Sequence, residues 1–444
     1  MTSTGAAGPP PADRASASSA RRIHLHGWRH PAIVAAALLT VAAGFAQFGS
    51  SAALGDVART FGGVEPQGTS VAAKVGLSGT TIGIGLAIIR LASLASLPLA
   101  GLADRHGRRR TLLACVAAGL GMTALAALSP SYWWFVVLFA SGRPLLSATN
   151  AISLVVAAEE TTSRDRTKAI ALVTAGFGIG AGLTALLRGA FGDHLGFRGL
   201  FALALVPLAA LPLVARRVEE PDRYQRLRAA ADPQAAAARP ERLGRVPAGH
   251  RRRLLLLGTL QFGLAVVTGP VITFLFVYAE NALGMPRSAT AAMVLAAGPV
   301  GLVGLVGGRW AADVLGRRLT AGSCQVMVAL AGIVTYSGSR PAVVGGYLLV
   351  IMAGAAYAPS VGALGAELFP TSVRSTVAGW VTAAGVLGAV IGLVAFGRLA
   401  DALDSFAAAA ALVCAPVVAV SLLFALLPET RGLELEQSAP EPAS

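Results

Sequence analysis

Twelve times along its 444 residues this chain runs on with little or no charge for about the 20 residues that a helix needs to cross ~30 Å of hydrocarbon. The runs cover 31–54, 80–103, 111–128, 132–158, 169–191, 199–215, 254–278, 289–311, 319–337, 342–368, 375–397 and 405–427, here spans 1 to 12. In lipid no water satisfies exposed backbone N–H and C=O groups, so such runs must be helices. A composition 55% hydrophobic and only 13% charged, with a mean hydropathy of +0.67, excludes an ordinary soluble enzyme. The predicted fold class is all-α integral membrane with twelve transmembrane helices, and an even number of crossings returns both termini to one side.

The net charge of +14 suggests nucleic acid at first sight, but the basic residues are not arranged as a binding face. Most fall in the connections of one membrane face, the bias that marks the cytoplasmic side. That predicts a multi-pass plasma-membrane protein with cytoplasmic termini and no nucleic-acid partner. Residues 1–30 read as a disordered tail, and Arg21-Arg22 as part of it rather than as a cleaved signal. Residues 216–253 carry 11 basic and 5 acidic residues and read as a cytoplasmic linker able to lie on anionic headgroups. Bundles at 31–215 and 254–427 flank it, and 428–444 is a short tail. Cys115, Cys324 and Cys414 sit singly in separate apolar runs, so packing is their expected role. No spacing suggests a metal, disulfide or cofactor.

The charged turn between spans 2 and 3 holds Asp104, Arg105, Gly107, Arg108 and Arg109. It returns between spans 8 and 9 as Asp313, Gly316, Arg317 and Arg318, with Asp313 standing 209 residues after Asp104. Glu159 and Glu367, Arg166 and Arg374, and Asp193 and Asp401 each repeat at 208. One shared spacing across four landmarks predicts two six-helix, pseudo-symmetric halves.

These turns resemble the hallmark of the major facilitator superfamily, roughly Gly, three residues, Asp-Arg, one residue, Gly-Arg-Arg. Ala100 stands where that pattern begins with glycine, and Arg309 and Val314 depart from it in the second copy. The resemblance runs from about Pro31 to Arg431 and implies the superfamily's fold and a secondary transporter working by alternating access. Ala366 to Arg374, Glu220 to Tyr224 and Pro428 to Gly432 are similar to signatures of sugar porters and of metabolite and aromatic-acid proton symporters. The fuller sugar-contacting pattern around Gln261 is absent, as is the span 5 glycine-proline motif of drug antiporters. The glycines at 176, 178, 180 and 182 follow no strand and read as a close helix contact rather than a dinucleotide loop.

Arg90 and Arg143 are the two ionisable side chains placed at mid-membrane. A charge there must face the bundle interior, a cavity water or a partner. Arg143 also stands where many superfamily members carry a motif arginine; for both, a bond to backbone carbonyls is the competing reading. Two guanidinium groups without an acid at their depth favour an anionic small organic solute, because a guanidinium holds a carboxylate through paired hydrogen bonds. Gln47, Asn150, Gln261, Tyr357 and Trp380 are further substrate-binding candidates, with interhelical bonding or packing as the alternative for each. Proton symport is implied by the resemblance, yet Gln47 stands where an acid is often found, which leaves coupling open. Glu280 and Asp193 read as loop residues of the external face.

The repeated turns supply the expected gate. Asp104 should meet the start of span 11 near Arg374, and Asp313 the start of span 5 near Arg166, because helix beginnings favour negative charge. Those contacts form only with the cytoplasmic side shut. Efflux of drugs or metabolites is the alternative within transport, and a non-transporting sensor the alternative outside it. The protein is expected as a monomer with a small-molecule substrate, the lipid bilayer and protons as its partners.

Overall fold

In the computed structural model the described residues are 27–62, 70–162, 164–218, 220, 248–370 and 373–431, with the side chains of 104, 105, 193, 248 and 375 outside the description. Twelve helices are long and apolar enough to cross a membrane. They are α1 Pro31–Ala52, α2 Gly79–Ala103, α3 Arg108–Ala126, α4 Tyr132–Glu160, α5 Arg166–Gly192, α6 His194–Ala215, α7 Gly249–Thr273, α8 Arg287–Val314, α9 Arg317–Thr335, α10 Arg340–Glu367, α11 Thr376–Ala402 and α12 Phe406–Leu426. Most of the 1–30 tail, the 216–253 linker and the 428–444 tail lie outside the described residues.

Sequence boundaries shift where local chemistry intervenes. Span 1 ends early, and the connection after it carries two short helices, Leu54–Phe61 and Val71–Val75. α2 narrows to a 3₁₀ turn at Ser93–Ala95 before Pro98. The chain passes from α5 to α6 with a kink at Gly196, whose φ of 54° glycine adopts without strain. α7 runs into a π-helical turn at Val277–Ala282, a form often found at functional sites.

Each half is knitted by close backbone approach, the packing that lipid favours over apolar burial. α5 lies against α1: a Cβ at Gly176 would stand 2.7 Å from the Ala37 carbonyl, and one at Gly180 would strike the carbonyl of Val41. Thr40 and Thr184 bond across the pair to Val173 and Phe45 carbonyls, both at 2.9 Å. α11 meets α7 the same way, with Gly388 and Gly392 over the carbonyls of Phe262 and Val266. Of the span 5 glycines, Gly176 and Gly180 thus serve close helix packing, while Gly178 faces open space and Gly182 has only an ordinary contact with Leu295.

One face carries the start of α1, the end of α12 and the arginine turns and is called here the basic face; the other is the far face. The halves join at the far face. A Cβ at Gly79 would stand 2.8 Å from the Gly397 carbonyl, and the apolar core of the second half takes in Leu54, Val71, Val75, Ile82 and Leu86 from the first. Toward the basic face, Ser96–His106 packs on α3 and α4 of its own half.

Candidate functional site

Arg90 and Arg143 lie at one depth, each eleven residues in from the far-face start of its helix, Gly79 or Tyr132. At 1.5 Å per residue that is roughly 16 Å, the middle of the hydrocarbon. Arg143 makes one long contact, Nη1 to the Gln47 carbonyl at 3.5 Å, while its Nε is buried without a hydrogen bond. Arg90 is accessible, and its guanidinium has no hydrogen bond among the described residues.

Gln47, whose carbonyl Arg143 touches, has its Nε2 buried without a partner, and Asn150 Oδ1, seven residues beyond Arg143 on α4, is also buried and unbonded. In the second half the Tyr357 hydroxyl, Ser360 Oγ and Gln325 Oε1 are likewise buried without a hydrogen bond, Tyr357 and Gln325 inside that half's own packing. Buried polar groups are normally bonded, so unsatisfied ones are places where a ligand can bond. Tyr357 is 4% exposed, with its ring edge-on to Phe424. Gln261 packs beside Gly385 of α11, and Trp380 is half exposed with no ring partner among the described residues. Gln325 and Ser360 were not singled out from sequence, although each is a polar residue inside an apolar run.

The basic-face turns are built twice. Gly107 and Gly316 have φ of 103° and 102°, which only glycine adopts cheaply; each caps the start of the following helix, and Gly107 also ends the preceding one. Glu220 accepts from the Arg108 and Arg109 amides at 2.5 and 3.1 Å; Glu429 accepts from those of Arg317 and Arg318 at 3.0 and 3.1 Å. A carboxylate at a helix start satisfies orphan donors and complements the dipole. Arg109 reaches the Val218 and Ala215 carbonyls, and Arg318 those of Leu427 and Ala425. Arg108 pairs with Glu159, and Arg317 with Glu367 at 2.9 Å.

Of the expected basic-face contacts, that of Asp313 with Arg166 is not made here. Asp313 is exposed, and Arg166 donates instead to the Ala158 carbonyl at 3.1 Å. Arg374 makes a long contact to the Phe369 carbonyl at 3.4 Å, and the side chains of Asp104 and Arg105 lie outside the described residues.

Carboxylates latch the far face instead. Asp401 at the end of α11 accepts from the Gly79 and Thr80 amides at the start of α2, both at 2.7 Å. Asp404 accepts from Val71 at 2.6 Å, and Asn281 donates to the carbonyls of Gly55 and Val75. Beside them Arg188 of α5 binds Glu280 at 2.5 and 2.6 Å and Asp56 at 3.0 and 3.2 Å, while Arg287 binds Asp56 at 2.5 Å. The expectation that Glu280 is a loop residue is corrected: it is 6% exposed, because the π-helical turn carries it inward to Arg188. The Asp193 side chain lies outside the described residues.

The sequence profile of the Major Facilitator Superfamily matches residues 36–311, and that of sugar and other transporters matches 213–441. The chain belongs to the Major Facilitator Superfamily. It is therefore a multi-pass membrane transporter and not an enzyme. It is 28% identical over 338 residues to the cis,cis-muconate transport protein of Acinetobacter baylyi, covering 71% of this chain and 80% of that one. To the gallate transporter of Pseudomonas putida it is 28% identical over 321 residues, 65% and 70% of the two chains. The inward-open structure of the xylose transporter XylE from E. coli superposes with a TM-score of 0.69 at 19% identity, covering 91% of this chain and 98% of that one.

Proposed function

We propose that this transporter carries a small organic acid anion, gripped at mid-membrane by Arg143 and Arg90. The observation that carries the reading is two guanidinium groups at one depth of the membrane-spanning helices, neither paired with a carboxylate among the described residues. A carboxylate would neutralise that charge and gain charge-assisted, bidentate hydrogen bonds. Gln47, Asn150, Gln261, Tyr357 and Trp380 are proposed to contact the rest of the molecule. The substrates named for the two relatives, cis,cis-muconate and gallate, are both carboxylates, which supports the class.

The protein is proposed to sit in the plasma membrane with the basic face cytoplasmic. The arrangement described is then the one open to the cytoplasm. In the opposite state Asp104 and Asp313 would cap the starts of α11 and α5 and shut the basic face, with the arginine turns, Glu159 and Glu367 holding them in place. Proton-coupled uptake is the proposed energy source.

The test is purified protein in liposomes under an imposed proton gradient, offered cis,cis-muconate, gallate, xylose and a cationic dye. Gradient-driven uptake of a carboxylate, lost in Arg143→Ala, is expected. Uptake of the sugar or the dye alone, indifferent to that substitution, would overturn the reading.

A further inference from the structure

A groove runs along the first half at a place where the second half is closed. It holds about 400 Å³ between α1, α3, α5 and α6, and every side chain lining it is apolar, among them Leu38, Ala42, Val116, Leu183, Val206 and Val214. Leu38, Leu183 and Val206 are exposed, and α6 is the least buried of the twelve spans, so the groove opens to the bilayer. Gly180 sits over the Val41 carbonyl and Gly388, 208 residues on, over that of Phe262, which makes Ala42 the equivalent of Gly263. A Cβ at Gly263 would stand 3.0 Å from Val420 and 3.6 Å from Val417, so α12 lies against α7, whereas α6 stands off α1 across the groove.

In hydrocarbon an apolar groove gains nothing from burial as such. What it lacks is dispersion contact, which a void forfeits and a filling chain restores. Its length suits one leaflet: Val214 lies in the last turn of α6 before the basic face, and Leu203 is eleven residues, roughly 16 Å, deeper, about half of the ~30 Å core. Arg216 and Arg217 follow at its mouth. Both are exposed, and neither side chain makes a hydrogen bond or ion pair among the described residues, while nearby Glu220 is engaged by the Arg108 and Arg109 amides. The Arg217 amide bonds to the Val214 carbonyl at 2.9 Å, a three-residue turn that sets Arg217 on the same side of the chain as Val214 and the groove.

We propose that this groove is the site of a single anionic phospholipid of the basic-face leaflet. One acyl chain lies along α6 from Val214 to Leu203, and the phosphate is held by Arg216 and Arg217 through charge-assisted hydrogen bonds. The chain fills the gap that α12 closes in the other half, and so ties α6 and α3 to α1 and α5. Residues 1–26, 221–247 and 432–444 are polar and charged in sequence and do not match an apolar groove in hydrocarbon, whereas the bilayer supplies acyl chains at that depth.

The inference does not rest on the proposed substrate, since no solute enters its test. Delipidated full-length protein in detergent is titrated with phosphatidylglycerol and, separately, with phosphatidylcholine of the same chains, and native mass spectrometry reads the affinity of the first lipid bound. The parent is expected to hold phosphatidylglycerol at least about fivefold more tightly, the worth of one arginine beside an anionic headgroup. Arg216→Gln combined with Arg217→Gln should bring the two lipids to equal affinity with both still bound. Ala210→Trp, at an exposed position on the groove wall, should weaken both lipids at least about tenfold, and Ala210→Leu at least about threefold should tryptophan prevent folding. Equal affinity in the parent, a preference that survives the loss of both arginines, a first lipid indifferent to filling, or a dimer in place of bound lipid would overturn the proposal.

Discussion

The two halves repeat their scaffold and differ in their charges. Gly107 and Gly316, Glu220 and Glu429, and the Arg108–Glu159 and Arg317–Glu367 pairs do the same work in both. At the repeat spacing Pro299 stands where Arg90 does 209 residues earlier, and Ile351 and Phe396 where Arg143 and Arg188 do 208 earlier; Phe396 is fully buried among Phe274, Tyr336 and Phe406. Duplication has kept what shapes a bundle, and the interior cations stand in the first half. The proposed anion site thus draws its charge from one half, and the proposed contacts of the other half are neutral polar groups.

Breaking the unique part should cost most. Arg143→Gln removes charge-assisted hydrogen bonds worth roughly 1.5–3 kcal/mol, so carboxylate uptake in liposomes should fall about 10- to 100-fold with the melting temperature little changed. Arg90→Gln, on the more accessible partner, should show the same sign with a smaller loss.

Breaking the repeated part should instead cost stability in matched amounts. Gly180→Val and Gly388→Val each force a side chain against a facing carbonyl, an overpacking of about 1–3 kcal/mol that thermal unfolding in detergent would show as similar drops. If only one half suffers, the symmetry of the packing is wrong.

Smallest should be the loss of the caps. Glu220→Gln and Glu429→Gln keep the acceptors but lose the charge at the starts of α3 and α9, about 0.3–1 kcal/mol each. Equal small decreases in melting temperature would sharpen the comparison, and a larger effect on transport than on stability would show that the caps also act in gating.

The sequence made the twelve helices and the duplication legible because both rest on local signals, apolar length and one spacing. The caps were partly legible, since Glu220 and Glu429 stand 209 residues apart, the interval of the charged turns. The far-face cluster was not. Asp56 lies in what reads as a loop, and Glu280 reads as loop because a π-helical turn leaves no periodic mark. Arg188 was the available signal: a cation inside an apolar run, near the face that membrane proteins keep poor in arginine. Asp401 repeats Asp193 in sequence, but its bond to the start of α2 is made across 321 residues and is visible only in the fold.

Equilibrium binding to the purified protein puts the central claim to its most direct test, with cis,cis-muconate and gallate each compared with its uncharged amide, in the parent and in Arg143→Gln. An anion site predicts that a carboxylate binds at least about tenfold more tightly than its amide, and that the preference disappears with the arginine. Equal binding of acid and amide in the parent, or a preference that survives the substitution, would contradict it.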